Sequence, residues 1–218
     1  MNVTDRVYST LRRRLATGFY EPGSQLKEEM VAQEFGVSRT PVRAAFTRLI
    51  AETLLTPAAK RGAIVTQWRR EDIDEIFAMR MMLEGHGAEL CARNATPEQR
   101  ALLFACCDKM ELAYANKAKG WLDVLNVENR VIHETLYDGS GSGYLRLSGR
   151  HLLDVPIMMG GFYIYTEADI LESFRHHREL ARAIEAGNGE WARAVIVCHL
   201  SAAKERFVRL DREKAQGA

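Results

Sequence analysis

The sequence predicts a mainly α-helical protein in two parts. A small N-terminal domain of three helices closed by a β-hairpin is followed by an all-α bundle of six helices. Three observations lead there. Two short apolar helical patterns separated by a glycine lie within the first fifty residues, a pair of β-prone runs follows them, and from Glu71 onward the apolar residues recur at helical intervals. The chain has 218 residues, 47% hydrophobic and 27% charged, which is enough for two cores and too apolar for a disordered chain. The expected domains are 1–68 and 69–218.

The first helix is expected over Val3 to Ala16, because Val3, Val7, Leu11 and Leu15 recur every four residues while Arg12, Arg13 and Arg14 point largely outward. Gly18 stops it, and Tyr20 to Ser24 reads as a turn by its Pro-Gly pair. A second helix is expected to open at Gln25 and run to Gly36, a residue suited to the tight turn before a third. That third helix starts at about Arg39. Ser38 is a good N-cap, whose hydroxyl can accept an orphan backbone N–H, and Pro41 sits where a missing N–H costs little. Val42, Ala45, Phe46 and Leu49 then form one apolar face, with Arg39, Thr40, Arg43 and Thr47 on the other.

Such a polar face can be an ordinary solvated one. It is also what a recognition helix needs, since arginine can grip guanine O6 and N7 with two hydrogen bonds and hydroxyls near a helix N-terminus can hold phosphates. The β-prone runs Leu54–Pro57 and Ala63–Thr66 make a hairpin whose tip, Lys60, Arg61 and Gly62, is basic and placed to reach a DNA backbone or minor groove. Three helices and a hairpin are a winged helix-turn-helix. Charge agrees: residues 1–70 hold 12 Lys/Arg and 6 Asp/Glu, residues 71–218 hold 18 and 23, so a net +1 divides into +6 and −5.

Leu11, Gly18 to Leu26, Phe35 to Arg43, Leu49 and Arg61 to Val65 together resemble the DNA-binding domain of GntR-family bacterial transcription regulators. The resemblance implies that Ser38, Arg39, Thr40 and Arg43 contact an operator in double-stranded DNA, with Gly62 of the wing approaching the groove. Glu29 stands where some FadR-like members carry a basic residue that touches bases, and is therefore left out of the contacts.

In the second domain, helices are expected from about Glu71 to Arg93, from a Thr96 cap to about Lys117, and over Trp121 to Tyr137. Others follow over about Tyr144 to Met158, Thr166 to Ala186 and Gly189 to Arg209. Gly139 to Gly143 reads as a flexible break. Cys91, Cys106, Cys107 and Cys198 lie inside apolar patterns and form no CxxC pair, so they are expected as reduced core thiols. No apolar run approaches eighteen residues and no secretory signal is legible, so a cytoplasmic protein without a membrane span is expected.

His133, His177 and His199 fall in three different expected helices, and Asn129 lies one turn before His133. Imidazoles from separate helices can build a metal site in a bundle, although each alone is more often an ordinary core or surface histidine. Arg80, on a helix rich in Met and Leu, needs an anion if it faces inward. Either an internal glutamate or the carboxylate of a ligand can serve.

Arg80 to Glu84, Ile132 to Leu136 and His177 to Leu200 resemble the FCD effector domain of FadR-like GntR regulators. That resemblance implies a divalent transition metal (zinc, nickel or manganese) held by Asn129, His133, His177 and His199, with a small organic-acid effector completing its coordination. Many metal-binding relatives have Asp where Asn129 stands, and an amide is the weaker, neutral ligand. The expected function is a DNA-binding transcription regulator and repressor, acting as a homodimer on a pseudo-palindromic operator, with the effector biasing the placement of the two winged domains. A metal-dependent enzyme acting on a small acid and a metal-free ligand-responsive regulator are the alternatives. Against an enzyme, no HExxH-type base and no nucleophile-base pair accompanies the histidines.

Overall fold

The computed structural model describes residues 2–16, 19–59, 62–67, 69–153 and 161–216. They divide into two compact units, one ending at Arg69 and the other beginning at Arg70.

The first unit contains α1 (Val3–Ala16), β1 (Gln25–Leu26), α2 (Glu28–Phe35), α3 (Arg39–Ala51), β2 (Leu55–Pro57) and β3 (Ala63–Val65). Its core joins Val7, Leu11 and Leu15 of α1 to Val31 and Ala32 of α2 and to Val42, Ala45, Phe46 and Leu49 of α3. The apolar face read for α3 is thus the buried one. Val3, counted among the apolar positions of its helix, is exposed instead. Gly36 ends α2 in the left-handed region (φ 64°), and Val37 N–H donates to Ala32 O at 3.0 Å, which closes the last turn of α2 and sets the entry to α3.

Two expectations change here. Gln25 and Leu26 do not open α2; they form β1, which pairs antiparallel with β3, so the hairpin becomes a three-stranded sheet in the order β1-β3-β2. A two-residue strand has no period to betray it. Gly62 is demanded by that sheet: at φ 128°, a side chain there would collide with the Leu26 carbonyl. Lys60 and Arg61 lie outside the described residues.

The second unit contains α4 (Arg70–Asn94), α5 (Pro97–Asn116), α6 (Trp121–Gly139), α7 (Gly143–Arg150), α8 (Glu167–Glu185) and α9 (Gly189–Gln216), with 3-10 turns at His151–Leu153 and Gly161–Ile164. Thr96 and Thr166 start α5 and α8 with capping boxes completed by Gln99 and Asp169. Asn188 Oδ1 accepts from Trp191 N–H at 3.0 Å at the start of α9. No helix among the described residues is long and apolar enough to cross a membrane.

The glycine-serine stretch after α6 is built rather than loose. A Cβ on Gly139 would lie 2.5 Å from Cys91 Sγ, so the glycine lets α4 and α6 approach closely. Ser140 is buried, its hydroxyl donates to Tyr137 O at 2.7 Å, and Ser142 Oγ accepts from Leu145 N–H at 3.2 Å at the head of α7. Helix α7 itself ends at Arg150, short of the expected extent, and 154–160 lie outside the described residues. Gly149 faces the fully buried ring of Tyr137, and a Cβ there would collide with it. Gly149→Ala should therefore destabilise the fold by about 1–3 kcal/mol through overpacking. Gly143→Ala, with open space around it, should cost nothing measurable. Urea unfolding of both variants checks this.

Candidate functional site

The outer face of α3 carries the residues expected to meet DNA. Ser38 occupies the N-cap position with extended backbone (φ −71°, ψ 167°), but its hydroxyl makes no capping bond. The expected cap is therefore one of position only, and the exposed hydroxyl keeps its hydrogen-bonding capacity. Thr40 is exposed beside it and Arg39 is half-buried. Arg43 is 61% exposed, yet it is not loose: its Nε and Nη2 donate to the Glu28 carboxylate at 3.1 and 2.9 Å. Arg39 Nη2 stands 3.9 Å from the same carboxylate. Glu28, at the start of α2, thus holds Arg43 side-on, with Arg39 within ion-pair distance, and leaves Arg43 Nη1 directed away from the pair. Sequence reasoning missed it, because nothing in the spacing of 28 and 43 signals contact.

In the second unit α6, α8 and α9 bring His133, His177 and His199 together. Their rings lie 4.5 to 5.9 Å apart between centroids, and one ligand nitrogen from each lies within 4.8 Å of the others. All three are buried. Both ring nitrogens of His177 and Nδ1 of His199 are sealed from water without a hydrogen-bond partner, a costly arrangement unless something supplies one. Burial above all, and then the neighbouring imidazoles and Arg206, push His177 and His199 well below the usual histidine range. They are neutral, which is the form that binds a cation.

His133 is set by Glu84. Its Nδ1 contacts Glu84 Oε2, while Glu84 Oε1 accepts from Arg80 Nε at 2.6 Å. Burial raises the Glu84 carboxyl, but the Arg80 charge and His133 outweigh it and hold the pKa low. As an ionised carboxylate it accepts from Nδ1–H, and His133 is left with Nε2 for the cluster. A carboxylate behind a ligating histidine fixes the ring and its tautomer. Arg80 therefore finds the internal glutamate that was one of its two possibilities, and its Nη2 stands 3.4 Å from His133 Nδ1. Asn129 is half-buried, one turn before His133 on α6.

Arg206 of α9 and Ser173 of α8, which the sequence did not single out, are also buried, and the Arg206 charge helps to lower His177 and His199. Cys198 is exposed, 4.0 Å from His176 Nε2, against the expectation of a core thiol. The other three cysteines are buried, and burial pushes Cys91 and Cys106 up to about 12 and Cys107 to about 11, so they are unreactive packing groups.

Residues 3–65 match the family described as bacterial regulatory proteins of the gntR family, and residues 75–202 match the FCD domain. An HTH-type transcriptional regulator of Bacillus subtilis, YdhC, is 28% identical over 89% of this chain and 86% of its own. The HTH-type transcriptional regulator McbR of Escherichia coli is 28% identical over 88% of this chain and 87% of its own, and its solved structure superposes with a TM-score of 0.79, covering 96% of this chain and 99% of that one. At 23% identity in that superposition, the structural likeness shows a shared fold. The gluconate operon transcriptional repressor of Bacillus licheniformis is 27% identical over 78% of this chain and 67% of its own.

Removing one member of the Arg80–Glu84 pair strands a buried charge. Glu84→Gln should cost about 3–5 kcal/mol, and adding Arg80→Leu should recover much of that loss. Urea unfolding in chelator tests both.

Proposed function

The chain belongs to the GntR family of bacterial regulatory proteins and carries an FCD domain, and from that premise we propose how this transcription regulator works. It is a regulator rather than an enzyme, as its family and relatives are. It binds a pseudo-palindromic operator as a homodimer in the cytoplasm. A small carboxylate, bound with a divalent metal among the helices of the second unit, sets its affinity for that operator. The observation that carries the reading is the convergence of His133, His177 and His199, with buried nitrogens that lack any partner. Asn129 adds an amide oxygen from the turn before His133. When bound, the metal supplies a Lewis-acidic centre to which a carboxylate oxygen coordinates. Repression relieved by the effector fits a family with a gluconate operon repressor among its members.

On the DNA side, Arg43 presents Nη1 and the rest of Nη2 to a guanine edge while Glu28 steadies the other side of the guanidinium. Ser38, Arg39 and Thr40 hold phosphates at the N-terminus of α3, and Lys60 and Arg61 add wing contacts beside Gly62. Dimerisation is supported by α4. On the side away from its buried residues, Glu75, Met79, Met82, His86 and Arg93 form an exposed stripe at successive intervals of four, three, four and seven, with Met82 63% exposed. Turned antiparallel on a second copy about its centre, the stripe sets Glu75 of one protomer opposite Arg93 of the other. The surface is self-complementary, as a two-fold contact requires. An effector shifts operator affinity only by its preference for one of two states, and a few kcal/mol suffices.

The test uses duplexes that the protein itself selects from a randomised pool, with binding followed by fluorescence anisotropy. Two chains per duplex and a palindromic consensus are expected. Arg43→Ala should lose about 1–3 kcal/mol and relax one base preference in each half-site while the fold stays intact. Equal affinity of mutant and parent across variant duplexes would contradict the base contact.

A further inference from the structure

Helices α8 and α9 form an antiparallel hairpin across the short turn at Gly187, and the histidine site lies midway along it, where the His177 and His199 rings are 4.5 Å apart between centroids. Moving away from the turn, two further layers follow. Four residues before His177 on α8 is Ser173, and Ala203 lies four residues after His199 on α9; both are small and both are buried. Beyond them Arg206, only 3% exposed, meets Asp169 at 3.3 Å through Nε and Glu172 at 2.6 Å through Nη2, over the face of Tyr165.

Two polar atoms along this line have no partner. Ser173 Oγ and Arg206 Nη1 are both sealed from water and make no hydrogen bond. An unpaired buried hydroxyl and an unpaired guanidinium nitrogen each cost free energy, so their presence on the two helices that carry His177 and His199, one and two turns from them, calls for an oxygen-bearing occupant. Arg206 stands seven residues after His199, about 10 Å along the helix axis, and an arginine on a helix leans back over the preceding turn, here toward the histidines. Asp169, one of its partners, is also shared with Arg209, so the nearby carboxylates are already divided between two guanidinium groups.

Charge sets the kind of occupant. The proposed ligands of the metal are three imidazoles and the Asn129 amide, none of which carries a negative charge, and Glu84 is balanced by Arg80. A divalent ion held there keeps both its charges in a buried place, where charge must be matched. Resting on the metal-and-carboxylate reading given above, we infer that the effector is a short dicarboxylate. One carboxylate reaches the metal at the histidines, and the other is held by Arg206 Nη1 with Ser173 Oγ donating beside it. A guanidinium N–H pointing at a carboxylate is a strong, directional contact, so Arg206 and Ser173 set the specificity for the second acid group.

The experiment compares succinate and glutarate with butyrate and valerate, their single-acid counterparts, on the full-length zinc-loaded protein, by calorimetry and by the shift in melting temperature. Each dicarboxylate is expected to bind at least roughly ten-fold tighter than its counterpart, about the worth of one charge-assisted hydrogen bond. Ser173→Ala and Arg206→Lys should each shrink that advantage. Ser173→Ala should leave the ligand-free melting temperature equal or higher, because it removes a hydroxyl that nothing satisfies; a structural serine would instead destabilise on removal. Asn129→Asp, which supplies one negative charge from the protein, should shift preference toward the single-acid ligands. Equal binding of both classes by the parent protein, or an advantage unchanged in Ser173→Ala and Arg206→Lys, would overturn the inference. A parent protein that retains no zinc would overturn the metal reading itself, and this inference with it.

Discussion

Glu84 is a carboxylate with no access to water, and the second unit is arranged to let it stay ionised. Arg80, one turn earlier on α4, takes one of its oxygens, and His133 of α6 meets the other. A buried pair of this kind adds little net stability over a hydrophobic packing, because both ions are desolvated to form it. What it adds is geometry. Arg80 and Glu84 are fixed by each other, His133 is fixed by Glu84, and a ring nitrogen of His133 lies within 4.8 Å of one from His177 and one from His199. Take away the carboxylate and the ring is free to turn.

The first unit uses the same physics at its surface. Glu28 of α2 binds Arg43 through two nitrogens and approaches Arg39, so Arg43 of α3 is ordered before any DNA arrives. Ordering a long side chain in advance lowers the entropy lost on contact. The Arg43–Glu28 pair is exposed on the arginine side and adds little to stability. Its consequence lies in which nitrogens remain to be offered.

What was legible in the sequence is what depends on local period. The buried face of α3, the Thr96 and Thr166 caps and the extents of α4, α5, α8 and most of α9 follow from apolar spacing and capping residues, which act within a turn or two. The two-residue strand β1 did not, since pairing with β3 alone makes it a strand. The histidines could be nominated but not joined: their convergence is made by three helices far apart in the chain. Glu28, Glu84, Ser173 and Arg206 were silent for the same reason, and their meaning lies in partners 15 to 49 positions away or in the lack of any. Gly139 looked like a place to bend because glycine usually marks one, whereas here it admits Cys91.

A metal at the three histidines gives the orphaned nitrogens of His177 and His199 and the orienting Glu84 carboxylate a common purpose. Elemental analysis of the purified, tag-free protein before and after dialysis against a chelator, with thermal unfolding of both samples, tests that most directly. About one zinc, nickel or manganese ion per chain, and a lower melting temperature once it is removed, is the predicted result. A protein that holds none of these ions, and whose melting temperature does not move when each is added back, would contradict it.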